Sequence, residues 1–173
     1  MKLDFNKHLL SEQALYYGEV QMPEGFEIDR EKIKNHLVQH IVQNKDLYTE
    51  QEFDKLNRYI KEHTETEFDL KLVNKKTFGN FFKPKERSLP SLSIDPVSLC
   101  FAPDFVLLYG VDIVPKSCNI KFWYDNNRRA GLSWDIPLKN NRFVMFPSTL
   151  WYVIENSQEK DLNYIQTILY DYT

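Results

Sequence analysis

The chain has 173 residues, 42% of them apolar, 27% charged and 14% aromatic, with a net charge of −3. A chain of this length fits one domain and buries roughly 70% of the surface it exposes when unfolded, so a core needs no staples. The charge balance excludes the clustered cationic surface that a phosphate backbone demands, and no nucleic acid is expected as partner.

The N-terminus, Met1-Lys2-Leu3-Asp4-Phe5, lacks the apolar stretch of a signal peptide, and no run nears 18 apolar residues. A membrane is therefore not expected. A cytoplasmic place of synthesis is, and it leaves later incorporation into a virion open. Residues 1–28 read as irregular or strand-like, with Leu15, Tyr16, Tyr17 and Val20 before a turn at Pro23-Glu24-Gly25. Asp29 has the chemistry of a helix N-cap, since its carboxylate accepts from free first-turn amides. Ile33, Leu37 and Ile41 follow at four-residue spacing beside Val38 and Val42, which predicts a helix over about 30–44. Thr49-Glu50-Gln51-Glu52 is a capping box, and Phe53, Leu56 and Ile60 line one face of a second helix to about His63.

From there the pattern becomes that of strands. Phe68, Leu70 and Leu72 alternate, which predicts a strand over 64–73, and residues 74–90 read as a long loop rich in Lys, Asn, Pro and Phe. Apolar or alternating runs then fall at 105–114, 118–124, 132–136, 142–146, 150–154 and 163–172, with polar turns between them. Helices first and strands afterwards predict an α+β fold, an antiparallel jelly roll with two N-terminal helices packed on one sheet. We read residues 1–173 as a single domain. Residues 1–63 form a strand and helical pair, and 64–173 the β-rich part.

The segment Phe146-Pro147-Ser148-Thr149-Leu150-Trp151-Tyr152-Val153, with Tyr109–Ser117 and Cys118–Trp123 upstream, resembles small 2-oxoglutarate/Fe(II) oxygenases of the type common in phages and marine bacteria. The resemblance spans roughly residues 90–172. It implies a double-stranded β-helix, and it implies Fe(II) held by two His and one acidic residue, with 2-oxoglutarate as cosubstrate. Carried over position by position, the late His falls on Tyr152 and the early His-x-Asp pair near Ser98 and Cys100. The arginine for the 2-oxoglutarate carboxylate falls near Asn163. None of these is the family's residue, and an asparagine lacks the charged fork of a guanidinium. The four histidines, His8, His36, His40 and His63, all precede the strand-rich region.

Other patterns are weaker. His36 and His40 share a helix face, but HLVQH lacks the glutamate of HExxH. Asp95, Asp104, Asp112, Asp125 and Asp135 sit at turns and strand ends with no spacing that pairs them. Ser148 is not in a Gly-x-Ser-x-Gly elbow. Cys100 and Cys118 have no CxxC spacing and read as reduced, packed thiols. Lys75-Lys76, Lys83-Pro84-Lys85 and Arg128-Arg129 read as solvated loops. Trp123, Trp134 and Trp151 fall on strands, where they either pack in the core or form an aromatic interface. The expectation is thus a jelly roll of oxygenase type without metal, cofactor or catalysis. It would act through a protein partner or self-assembly, in a virion for example. The alternative is an active Fe(II)/2-oxoglutarate hydroxylase with other ligands.

Overall fold

The computed structural model describes residues 13–21, 29–43, 51–94, 99–124 and 132–173. Strand β1 (Tyr16–Glu19) precedes helices α1 (Arg30–Gln43) and α2 (Gln51–Phe68). Strands β2 (Leu72–Phe82), β3 (Phe105–Asp112), β4 (Cys118–Trp123), β5 (Ser133–Leu138), β6 (Arg142–Pro147), β7 (Trp151–Asn156) and β8 (Asn163–Tyr172) follow.

Every ladder is antiparallel, in a larger sheet ordered β1-β6-β3-β8-β2 and a smaller one ordered β5-β4-β7. Beside β7 runs a loosely paired strap, bridged to it at Arg87↔Glu155 and Ser91↔Tyr152. The period of two sends alternate residues of the larger sheet to opposite sides. Val106, Leu108, Val144, Phe146 and Ile165 meet Ile120, Phe122, Ile136 and Ile154 of the smaller sheet in the barrel core. Leu107, Tyr109, Met145, Ile168 and Tyr170 point the other way, against Ile33, Leu37, Leu56 and Ile60 of the helices. This is the expected jelly roll with a helical pair on one sheet.

Asp29 caps α1 as its chemistry predicts, its carboxylate accepting from the Lys32 amide at 3.1 Å. Ile33 and Leu37 bury their side chains, whereas Val38 and Val42 stay exposed, so the apolar stripe is narrower than the spacing implies. The capping box at Thr49 lies outside the described residues.

The expected strand at 64–73 is instead the end of α2 and the start of β2. Thr64 and Thr66 return their hydroxyl protons to the carbonyls of Ile60 and Glu62, which lets β-branched residues continue the helix. The helix stops at Asp69, whose φ of 53° turns the chain back. The boundary placed after His63 therefore falls inside α2. The loop expected at 74–90 is strand as far as Phe82. β2 borders only β8, and an edge strand tolerates the polar residues that a central one does not. Lys75, read as a loop residue, bonds Asp171 from within this strand.

Candidate functional site

The two ends of the barrel differ in chemistry. One end gathers the β2–strap, β3–β4, β5–β6 and β7–β8 connections, and buried amides hold it shut. Asn163 is fully buried; its Oδ1 accepts from the Val114 amide at 2.9 Å and the Ser117 hydroxyl at 3.1 Å. Asn156 donates to the carbonyls of Phe82, Lys83 and Asp161. The position that the resemblance gives to a carboxylate-binding arginine thus serves as a brace for the β3–β4 turn.

The other end is the mouth, and Tyr152 stands there. Pairing of β7 with β4 sets Tyr152 opposite Phe122 and Trp151 opposite Trp123, so strand alternation turns Tyr152 inward and Trp151 outward. The Tyr152 ring rests edge-on against Phe146, with centroids 4.8 Å apart, and Phe146 meets Phe122 in the same way at 4.8 Å. Three rings in edge-to-face contact, a preferred aromatic geometry, fill the floor where the resemblance places the late histidine.

On its other side Tyr152 pairs with Ser91. Cys100 sits exposed on the 3-10 turn Leu99–Phe101, and Ser98 lies outside the described residues. Of residues 92–104 the described ones, 92–94 and 99–104, are not strand, so ladder spacing does not carry through them.

The described histidines do not reach this end. His36 and His40 lie on α1, and His63 on α2 stacks on Tyr59. Both helices pack on the outer face of the larger sheet; His8 lies outside the described residues. Among the described residues no three His, Cys, Asp or Glu side chains lie close enough to hold a metal ion. Among the described residues the donors at Tyr152 are one phenol and the Ser91 hydroxyl above an apolar floor, which do not fit an Fe(II) held by two imidazoles and a carboxylate. The carboxylates do not pair either. Asp104 accepts from the Tyr172 amide, Asp112 pairs with Lys34 and Asp135 faces Lys121. Asp95 and Asp125 are outside the described residues.

Above the aromatic floor is a cavity of about 480 Å³ lined by Gln13, Ala14, Leu15, Phe122, Tyr124, Trp134 and Leu150. Sequence pattern alone did not mark this site, because Gln13 and Leu150 are far apart in the chain and only the fold joins them. Trp134 is 45% exposed at the lip, with the edge of Tyr17 set against it at 5.8 Å. Trp151 is 38% exposed on the outer face of the smaller sheet, beside a half-buried Trp123. None of the three tryptophans is buried in the core. Cys118 is, and burial pushes its thiol up to about 12, which leaves it unreactive.

No protein-family model matches the chain, and no curated protein matches it in sequence. Solved structures do match in shape. A prolyl-4-hydroxylase from Pseudomonas putida superimposes with a TM-score of 0.65 at 8% identity, covering 92% of this chain and 88% of that one. The non-heme alpha-ketoglutarate dependent epimerase SnoN from nogalamycin biosynthesis gives 0.66 at 8% identity, covering 91% and 77%. The viral collagen prolyl hydroxylase of Paramecium Bursaria Chlorella virus-1 gives 0.61 at 12% identity, covering 90% and 94%. With two antiparallel sheets, a helical pair on the larger one and these neighbours, the chain has the double-stranded β-helix fold of the 2-oxoglutarate/Fe(II) oxygenases.

Proposed function

We propose that this chain is a non-catalytic member of the oxygenase-type jelly rolls and acts by binding a protein partner or by assembly. The observation that carries the reading is the Tyr152–Phe146–Phe122 stack, at the position where the sequence resemblance puts the late histidine. A dicarboxylate deeper in the barrel would meet Val106, Ile120, Val144 and Ile165, and an anion buried without a partner is strongly disfavoured. A fold keeps its surfaces when it loses its chemistry. Here those surfaces carry part-exposed Tyr17, Tyr124, Trp134 and Trp151, the residue types that dominate binding hot spots. A virion-associated role is the finer form of this reading, and its support is the sequence resemblance to phage proteins.

Anaerobic loading with Fe(II) and 2-oxoglutarate tests the reading. The expected result is no stoichiometric metal after desalting and no succinate; one iron per chain with turnover would sink it. Light scattering of the native protein with its cellular partners should show a complex. A strict monomer in every native mixture would count against assembly.

The second reading is an active Fe(II)/2-oxoglutarate hydroxylase, favoured by the shape match to the hydroxylases and epimerase named above. It predicts succinate formation under the same conditions.

A further inference from the structure

We propose that the outer face of the larger sheet, at the C-terminal end of α2, docks an arginine side chain of a partner polypeptide. The inference rests on the binding reading and gives the partner a chemistry.

The argument begins with register. Tyr16 stands opposite Met145, Phe105 opposite Tyr170 and Tyr172 opposite Leu72. Met145, Tyr170 and Leu72 belong to the core under the helices, so the three rings lie on that side of the sheet, outside the barrel. Phe68, the last residue of α2, reaches the same place. Its ring centroid is 4.9 Å from that of Tyr16, Tyr16 is 6.1 Å from Phe105, and Phe105 is 6.0 Å from Tyr172. Four rings thus run in a row from α2 over β1 and β3 to β8. Phe68 is 41% exposed and Tyr172 57%, with Tyr16 and Phe105 half-buried between them.

The charge along this row is mostly negative. A helix C-terminus carries about half a negative charge, which basic residues there offset. The last turn of α2 has no basic residue and carries Glu65 and Glu67 instead, with Asp69 directly after it. Asp104 accepts from the Tyr172 amide at 3.0 Å, which holds a further carboxylate next to that residue. Lys71 is taken by Glu65 and Lys75 by Asp171. Glu67, Asp69 and Asp104 are in no ion pair among the described residues.

Ring faces edged by carboxylates suit a cation that is flat and weakly hydrated. A guanidinium stacks on rings and forks its N–H groups onto a carboxylate, whereas an ammonium is a strongly hydrated point charge. A phosphate or carboxylate partner would meet charge of its own sign. The row is longer than one guanidinium can cover and is open to solvent at both ends. It therefore takes a side chain with polypeptide to either side.

The test uses the full chain labelled with nitrogen-15 and the capped peptide acetyl-Gly-Arg-Gly-Arg-Gly-amide at millimolar concentration. The amide resonances of Phe68, Asp69, Phe105 and Tyr172 should shift saturably, and added salt should weaken the binding. The peptide with citrulline in place of arginine keeps the shape and loses the charge, and should bind about tenfold more weakly. Glu67→Gln combined with Asp69→Asn should weaken the arginine peptide by a similar factor. Both positions are exposed, and asparagine tolerates the φ of 53° at Asp69, so the fold should survive. Unmoved amides overturn the proposal, as does a citrulline peptide that binds equally well. Shifts at these amides that grow with protein concentration in the absence of peptide would give the face to a second copy and also overturn it. Succinate formation in the iron experiment would sink the non-catalytic reading without touching the peptide result. Unmoved amides with no succinate would remove this inference alone.

Discussion

Ser91 and Tyr152 exchange both backbone hydrogen bonds across the strap and β7, at 3.1 and 3.2 Å. Directly opposed residues of an antiparallel pair put their side chains on the same face, with Cβ atoms roughly 5 Å apart. The strap thereby sets a hydroxyl, and no imidazole or carboxylate, beside the phenol of Tyr152.

That juxtaposition predicts how metal binding would be restored. Tyr152→His alone should leave the protein without stoichiometric Co(II) after desalting, because one imidazole has no second ligand beside it. Adding Ser91→His should raise Co(II) affinity at least about tenfold, since two imidazoles on one face share the ion. Titration with Co(II) absorbance as readout checks both, and equal affinity in the two variants would contradict the assigned pairing.

Asn163 should behave as a structural residue. Asn163→Ala strands the Val114 amide, while the Ser117 hydroxyl keeps the Val114 carbonyl as acceptor, and should cost about 2 kcal/mol in urea unfolding. Asn163→Arg, the residue implied by the resemblance, would place an unpaired charge at a fully buried position. It should cost more than about 3 kcal/mol. An arginine variant as stable as the parent would show that the barrel can open to take a charge there.

Gly110 should be intolerant of any side chain. A Cβ on it would lie 2.2 Å from the Lys139 carbonyl oxygen, a backbone atom. The β5–β6 turn is anchored there, because Asn141 donates its amide to the Gly110 carbonyl and accepts from the Tyr109 hydroxyl. Gly110→Ala should destabilise by about 3 kcal/mol. Gly79→Ala meets the Leu37 side chain at 2.5 Å and should cost less, since a side chain can rotate away. Paired denaturation curves decide the order.

Stability should fall on the alkaline side. Burial lifts the Tyr109 phenol to about 12 and raises that of Tyr170 as well. An unfolded tyrosine loses its proton near about pH 10. The contribution of these two groups is whole below that value and is lost as pH rises through the folded pKa values. Urea midpoints should therefore drop from about pH 10 upward, and Tyr109→Phe should flatten that drop. A flat profile from pH 9 to 11 in the parent would contradict the burial of both phenols.

Much of the fold was legible because half-buried strands repeat every two residues. β3 through β8 each carry that alternation or an apolar run, and each lies within a few residues of its expected place. What failed was short-range and ambiguous. Phe68, Leu70 and Leu72 alternate, yet Phe68 ends a helix and only Leu72 belongs to a strand. Three residues cannot distinguish the two periods, and packing of α2 against β2 decided between them. Residues 74–82 looked like loop because an edge strand under helices need not be apolar throughout.

The sequence by itself determined the class of fold, that Trp151 and Tyr152 face opposite ways, and that four histidines precede the strands. Each follows from period or order along the chain. Only the tertiary structure decided that Ser91, and not Cys100, lies beside Tyr152, that Asn163 braces a turn, and that Gln13, Tyr124, Trp134 and Leu150 enclose one cavity. Those relations join residues far apart in sequence. Their positions depend on how two sheets close on each other, which no local pattern encodes.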